Sequence, residues 1–87
     1  MINKFLLNEF GARIRHLRTQ EKLSQEQLSY KTGFHRTYIG MIERGERNIS
    51  LTNMAIFAKA FDLTIDALLK FDNSKELSKF YKFKSET

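Results

Sequence analysis

An all-α domain is the fold class this sequence predicts, on three observations. The 87 residues include no proline and only four glycines, so little in the chain calls for long connections. Apolar residues, 41% of the total, recur at spacings of three and four, the period of an amphipathic helix. A serine or threonine precedes several of these runs, where its oxygen can accept from a free backbone N–H.

The first helix is expected over about Leu7 to Glu21, with Leu7, Phe10, Ile14 and Leu17 on its inner face and Arg13, Arg15 and Lys22 elsewhere. Ile2, Phe5 and Leu6 extend this helix by a turn or pack as an N-terminal arm. Ser24 opens the second helix: Ser-x-x-Gln, with Gln27 reaching back, is the capping-box pattern. Gly33 closes it, because glycine tolerates the left-handed backbone of a sharp turn. The third helix starts near His35 or Arg36 and ends at Arg44, with Gly45 as its stop. Ser50 caps a fourth over Leu51 to Phe61, whose proposed apolar stripe is Leu51, Met54, Ala55, Ala58 and Phe61. Thr64 caps a short fifth that ends near Leu69 or Lys70. Residues 1–71 then form the domain, and 72–87 an extension that is a helix or a partly ordered tail.

Composition narrows the function. A chain this short hides only about 60–65% of the surface its unfolded form exposes, so it needs additional stabilisation. The absence of cysteine excludes disulfides, thiolate zinc sites and redox chemistry, and His16 and His35 are too few for a metal cluster. No cofactor is therefore expected, and a partner subunit is the remaining supplement. No apolar run approaches the roughly 20 residues that span a bilayer. The opening MINKFLLNEF is interrupted by Lys4, Asn8 and Glu9, and no small-residue cleavage site follows. A cytoplasmic, unprocessed protein with no membrane partner is the expectation. The net charge of +5 favours a polyanion through counterion release, although a soluble basic domain or an anionic-membrane binder would share it.

The second and third helices, joined by a glycine turn, form a helix-turn-helix unit over about 24–44, with Leu28, Ile39 and Ile42 placed to lock their angle. The turn exposes the start of helix three, where Arg36, Thr37, Tyr38, Gly40 and Met41 make a small, basic, hydrogen-bonding face. Such a face fits a DNA major groove, which admits one helix and offers a distinct donor and acceptor pattern per base pair.

Residues 23–69, LSQEQLSYKTGFHRTYIGMIERGERNISLTNMAIFAKAFDLTIDALL, resemble the Cro/C1-type (XRE-like) domain of phage repressors, and residues 10–22 fit its first helix. The marks are Ser24-Gln25, the Gly33 turn, Ile39-x-x-Ile42-Glu43-x-Gly45 and Leu63-x-Ile65-x-x-Leu68-Leu69. Within that family His35-Arg36-Thr37-Tyr38-Ile39, followed by Ile42-Glu43-Arg44 and Arg47-Asn48, is most similar to the controller proteins of restriction-modification systems. His35 departs from the acidic cap of many controllers, and the aromatic tail after Asp72 exceeds the minimal domain.

The resemblance implies a five-helix lambda-repressor-like fold and a regulator of transcription on a double-stranded DNA operator. Gln25, with Ser24 and His35, would contact the phosphate backbone near a helix N-terminus, and Arg47 and Asn48 would do so from the loop after helix three. Arg36, Thr37, Tyr38 and Met41 would face the bases, Arg36 reading guanine O6 and N7 and Thr37 a thymine methyl or a phosphate. Gln25 also fits a solvent-exposed first-turn residue, Arg36 and Thr37 a solvated helix face, Arg47 and Asn48 an ordinary polar loop, and Tyr38 a partly buried core residue. Arg18 would pair with Glu43, which sits on the inner side of helix three, as a structural ion pair.

A homodimer is expected from apolar residues beyond the needs of one core: Ile65, Leu68, Leu69 and Phe71, with Leu77, Phe80, Tyr81 and Phe83 at the margin. RNA polymerase is a further candidate partner. An enzyme finds no support, since there is no phosphate loop, no cysteine and no carboxylate at sensible spacing from a histidine. A prophage repressor, or an antitoxin acting partly through protein contacts, is the alternative biology.

Overall fold

The computed structural model describes residues 4–71, so the expectations for 72–87 lie outside the described residues. Among the described residues it is all-helical, with α1 over Lys4–Gln20, α2 over Gln25–Thr32, α3 over Arg36–Glu43, α4 over Leu51–Ala60 and α5 over Ile65–Leu68. Helix α1 starts a turn earlier than its inner face required, because Phe5 and Leu6 continue the helix and Lys4 donates from Nζ to the Gly45 carbonyl at 2.7 Å.

The caps form where the sequence placed them. Ser24 Oγ accepts from Gln27 N while Gln27 Oε1 accepts from Ser24 N, a complete capping box, and Ser50 and Thr64 cap α4 and α5. Gly33 closes α2 at φ 81°. Two other helix ends need a left-handed residue but carry no glycine: Lys22 after α1 and Asp62 after α4, at φ 59° and 56°.

The core joins one face of every helix. Ile14, Leu28, Ile39, Phe57 and Leu68 are fully buried, and Phe57 meets the rings of Phe10 and Phe34. Helix α1 crosses α3 closely at Gly11, where a Cβ would run into the backbone carbonyls of Ile42 and Glu43. That closeness places α3 directly on α1 and leaves its N-terminal face outward.

Two expectations need correction. The stripe of α4 is Phe57, Ala58 and Phe61, with Met54 partly buried, whereas Leu51 and Ala55 are exposed. Helix α4 is apolar nearly all round, so its period alone did not select a face. Leu68 is removed from the dimer surface, because it is fully buried in the core of its own subunit and has no side chain to offer a partner. Ile65, Leu69 and Phe71 are only partly buried around it.

Candidate nucleic-acid interface

Helices α2 and α3 are set by a buried carboxylate. Glu43, in the last turn of α3, has a side chain 0% exposed and accepts from donors on two other helices. Arg18 of α1 grips it in bidentate fashion, Nε to Oε2 at 2.6 Å and Nη2 to Oε1 at 3.0 Å. Arg15 Nε and Gln25 Nε2 complete its shell at 3.3 and 3.1 Å. Arg18 also donates from Nη1 to the Leu23 carbonyl at 2.8 Å, so one guanidinium ties α1, the loop before α2 and α3 together. Burial pushes the Glu43 carboxyl up, but the hydrogen bonds from Arg18, Gln25 and Arg15 outweigh it and hold the group below the ordinary carboxylate range. The same bond to Glu43 raises Arg18.

Gln25 is thus half-buried and oriented, with its amide nitrogen lying between Glu43 and the surface at the start of α2. That amide has a second hydrogen to give, and it lies at the positive end of the helix dipole. Ser24 spends an acceptor pair on its cap and keeps its hydroxyl proton. His35 caps α3 through Nδ1, which accepts from Thr37 N at 3.0 Å; in that neutral tautomer the hydrogen is on Nε2, exposed beside the helix start.

Arg36 and Thr37 are exposed on the first turn of α3, and Met41 is partly buried one turn later. Tyr38 is held on three sides: Phe34 packs at 5.0 Å between ring centroids, the Arg47 guanidinium lies 5.5 Å over the ring, and Asn53 Nδ2 donates to the hydroxyl at 3.0 Å. Asn48 is exposed and accepts from Ile49 N through Oδ1, so its amide hydrogens remain to be donated. Ser24 and Gln25 thus stand at the start of α2 and His35, Arg36 and Thr37 at the start of α3, with Tyr38 joining the latter to Arg47 on the following loop.

Three positioning residues escaped the sequence reading. Arg15 lies three residues before Arg18, on the same helix face, and that spacing is the signal that could have paired both with one acid. Arg13 donates from Nε and Nη2 to the carbonyls of Leu68 and Ala67, closing α5, a contact across 55 and 54 positions with no local signature. Asn53 had no signal beyond its place in the first turn of α4.

This geometry has counterparts. Residues 14–68 match the helix-turn-helix family. The control protein C.SmaI of Serratia marcescens is 48% identical over 56 residues, covering 64% of this chain and 67% of that protein. The crystal structure of the restriction-modification controller protein C.AhdI from Aeromonas hydrophila superposes with a TM-score of 0.69 at 47% identity, over 71% of this chain and 94% of that one. The C.Esp1396I controller, as a tetramer in complex with its natural 35 base-pair operator, gives a TM-score of 0.70 at 30% identity, over 76% of this chain and 87% of that one.

Proposed function

The chain belongs to the Cro/C1-type helix-turn-helix family of DNA-binding transcription regulators, and we propose that it is the controller of a restriction-modification system, binding an inverted-repeat operator as a homodimer and regulating its own gene and the endonuclease gene. The observation that carries this reading is the exposed start of α3, held rigid from behind by the Arg18–Glu43–Gln25 network. Arg36, Thr37, Tyr38 and Met41 face base edges, while Ser24, Gln25, His35, Arg47 and Asn48 grip phosphates around them.

The dimer surface is the apolar end of the molecule. Leu69 and Phe71 line a groove of about 320 Å³ with Leu7, Phe10, Ile49 and Met54; Ile65 is partly buried at the start of α5, and Leu51 is 65% exposed at the start of α4. One self-complementary patch gives a two-fold dimer. Its recognition helices enter successive major grooves about 34 Å apart. An activating role would bring in RNA polymerase, and run-off transcription with and without the chain reads that directly.

Fluorescence anisotropy on a promoter fragment tests the core of the reading. Affinity falls steeply between low and high salt; binding indifferent to salt overturns it. Arg36→Ala flattens preference at one base pair, at a cost of about 1–3 kcal/mol, whereas Gln25→Ala weakens all sequences alike. Sedimentation equilibrium with Leu51→Glu and Leu69→Glu tests the dimer: the wild type is a dimer at micromolar concentration and the variants are folded monomers.

A further inference from the structure

Tyr38 and Asn53 belong to different helices, α3 and α4, and meet through a single hydrogen bond. Asn53 Nδ2 donates to the Tyr38 hydroxyl at 3.0 Å, and both side chains are partly buried. The backbone N–H of Asn53 donates to Ser50 Oγ at 3.1 Å as part of the α4 cap, and the tyrosine ring is held between Phe34 and Arg47.

A phenolic hydroxyl both donates and accepts, and a freely rotating one suits either kind of base edge. Here the donor from Asn53 occupies its acceptor side, so the group has its proton left to offer. In the major groove guanine, adenine and thymine all present acceptors, whereas cytosine presents an amino donor. We propose that Asn53 is a positioning residue for operator reading, which fixes the Tyr38 hydroxyl as a donor and so makes it discriminate against cytosine. This role rests on the proposed placement of Tyr38 against the duplex. Through the same ring, Asn53 also keeps Arg47 stacked in place beside the first turn of α3.

Competition anisotropy tests the role on operators that present each of the four bases in turn at every position under α3, with melting temperatures measured alongside. The wild type disfavours cytosine at one position by about tenfold, a factor expected of one good base contact. Tyr38→Phe abolishes that preference. Asn53→Ala reduces it several-fold at that position alone and keeps the preference under Arg36. Asn53→Asp shifts it toward cytosine, because a carboxylate accepts the hydrogen bond of the tyrosine O–H and leaves the phenolic oxygen as an acceptor facing the base. Asn53 variants with an unaltered base profile, or with a uniform loss that tracks melting temperature, overturn the proposal. Uniform weakening by Tyr38→Phe would place the hydroxyl on a phosphate, and no effect would remove Tyr38 from the interface; in either case the premise itself has failed and the role of Asn53 falls with it.

Discussion

The junction of α1 with α3 and the junction of α1 with α5 are held by different forces. At the first, a carboxylate with no exposure collects donors from Arg15, Arg18 and Gln25, and each bond has a direction. At the second, Leu68 fills the core and Arg13 closes the helix end on two backbone carbonyls. Apolar packing supplies stability with little orientation, whereas the charged cluster fixes an angle at a desolvation cost. The helix proposed to read bases is the one held by the cluster.

Glu43→Ala is the largest expected effect, because it leaves Arg18 buried and unpaired and frees the Gln25 amide. Removing one partner of a buried pair costs about 3–5 kcal/mol, measured as the fall in unfolding free energy in urea. Arg18→Met combined with Glu43→Leu costs less, since Arg15 is 56% exposed and can turn to solvent. Operator binding by this double variant falls more than its stability, as the orientation of α3 is lost. A Glu43→Ala variant with an unchanged melting temperature would erase the distinction between the junctions.

Leu68→Ala comes next, at about 2–5 kcal/mol for a truncated core leucine. Its signature is the opposite one: the melting temperature drops while base preferences of the folded fraction persist. A broadened operator profile in Leu68→Ala would show that α5 also orients α3.

Acid sharpens the comparison without a mutation. The Glu43 carboxyl lies below its ordinary value in the folded chain, so its contribution is complete above the unfolded value of about 4.3 and is lost as pH falls through the lower folded value. The wild-type urea midpoint therefore falls more steeply below about pH 4.3 than that of the Arg18→Met, Glu43→Leu variant. Parallel curves would assign the acid limb to other carboxylates.

Much of this was legible in the sequence, and the gaps have physical causes. Ser24, Gly33, Ser50 and Thr64 act within three or four residues of their targets, so their caps could be read directly. Arg18 and Glu43 were paired through family likeness, but the share of Arg15 and Gln25 in that carboxylate depends on how three helices meet. Lys22 and Asp62 end helices in a conformation that disfavours an L residue by about 1–2 kcal/mol, and backbone bonds across the helix end, Leu23 N to Arg18 O and Leu63 N to Ala58 O, hold them there without a glycine. Leu68 was misplaced because an apolar residue at the end of a short helix reads the same whether it faces its own core or a second copy.

The smallest expected effect belongs to an acid three positions further on. Glu46 and Arg44 form a bidentate pair at 2.9 and 3.1 Å, a geometry as good as that of Glu43, yet their side chains are 44% and 52% exposed. Water already solvates both partners, so little desolvation is at stake and salt screens what attraction remains. Glu46→Ala should leave the melting temperature unchanged. It also removes a negative charge next to α3 and releases Arg44, so binding tightens on every duplex and its salt dependence steepens. Circular dichroism and anisotropy on a specific and an unrelated duplex measure the two halves. A melting loss comparable to that of Glu43→Ala would mean that pair geometry, rather than burial, decides which glutamate matters.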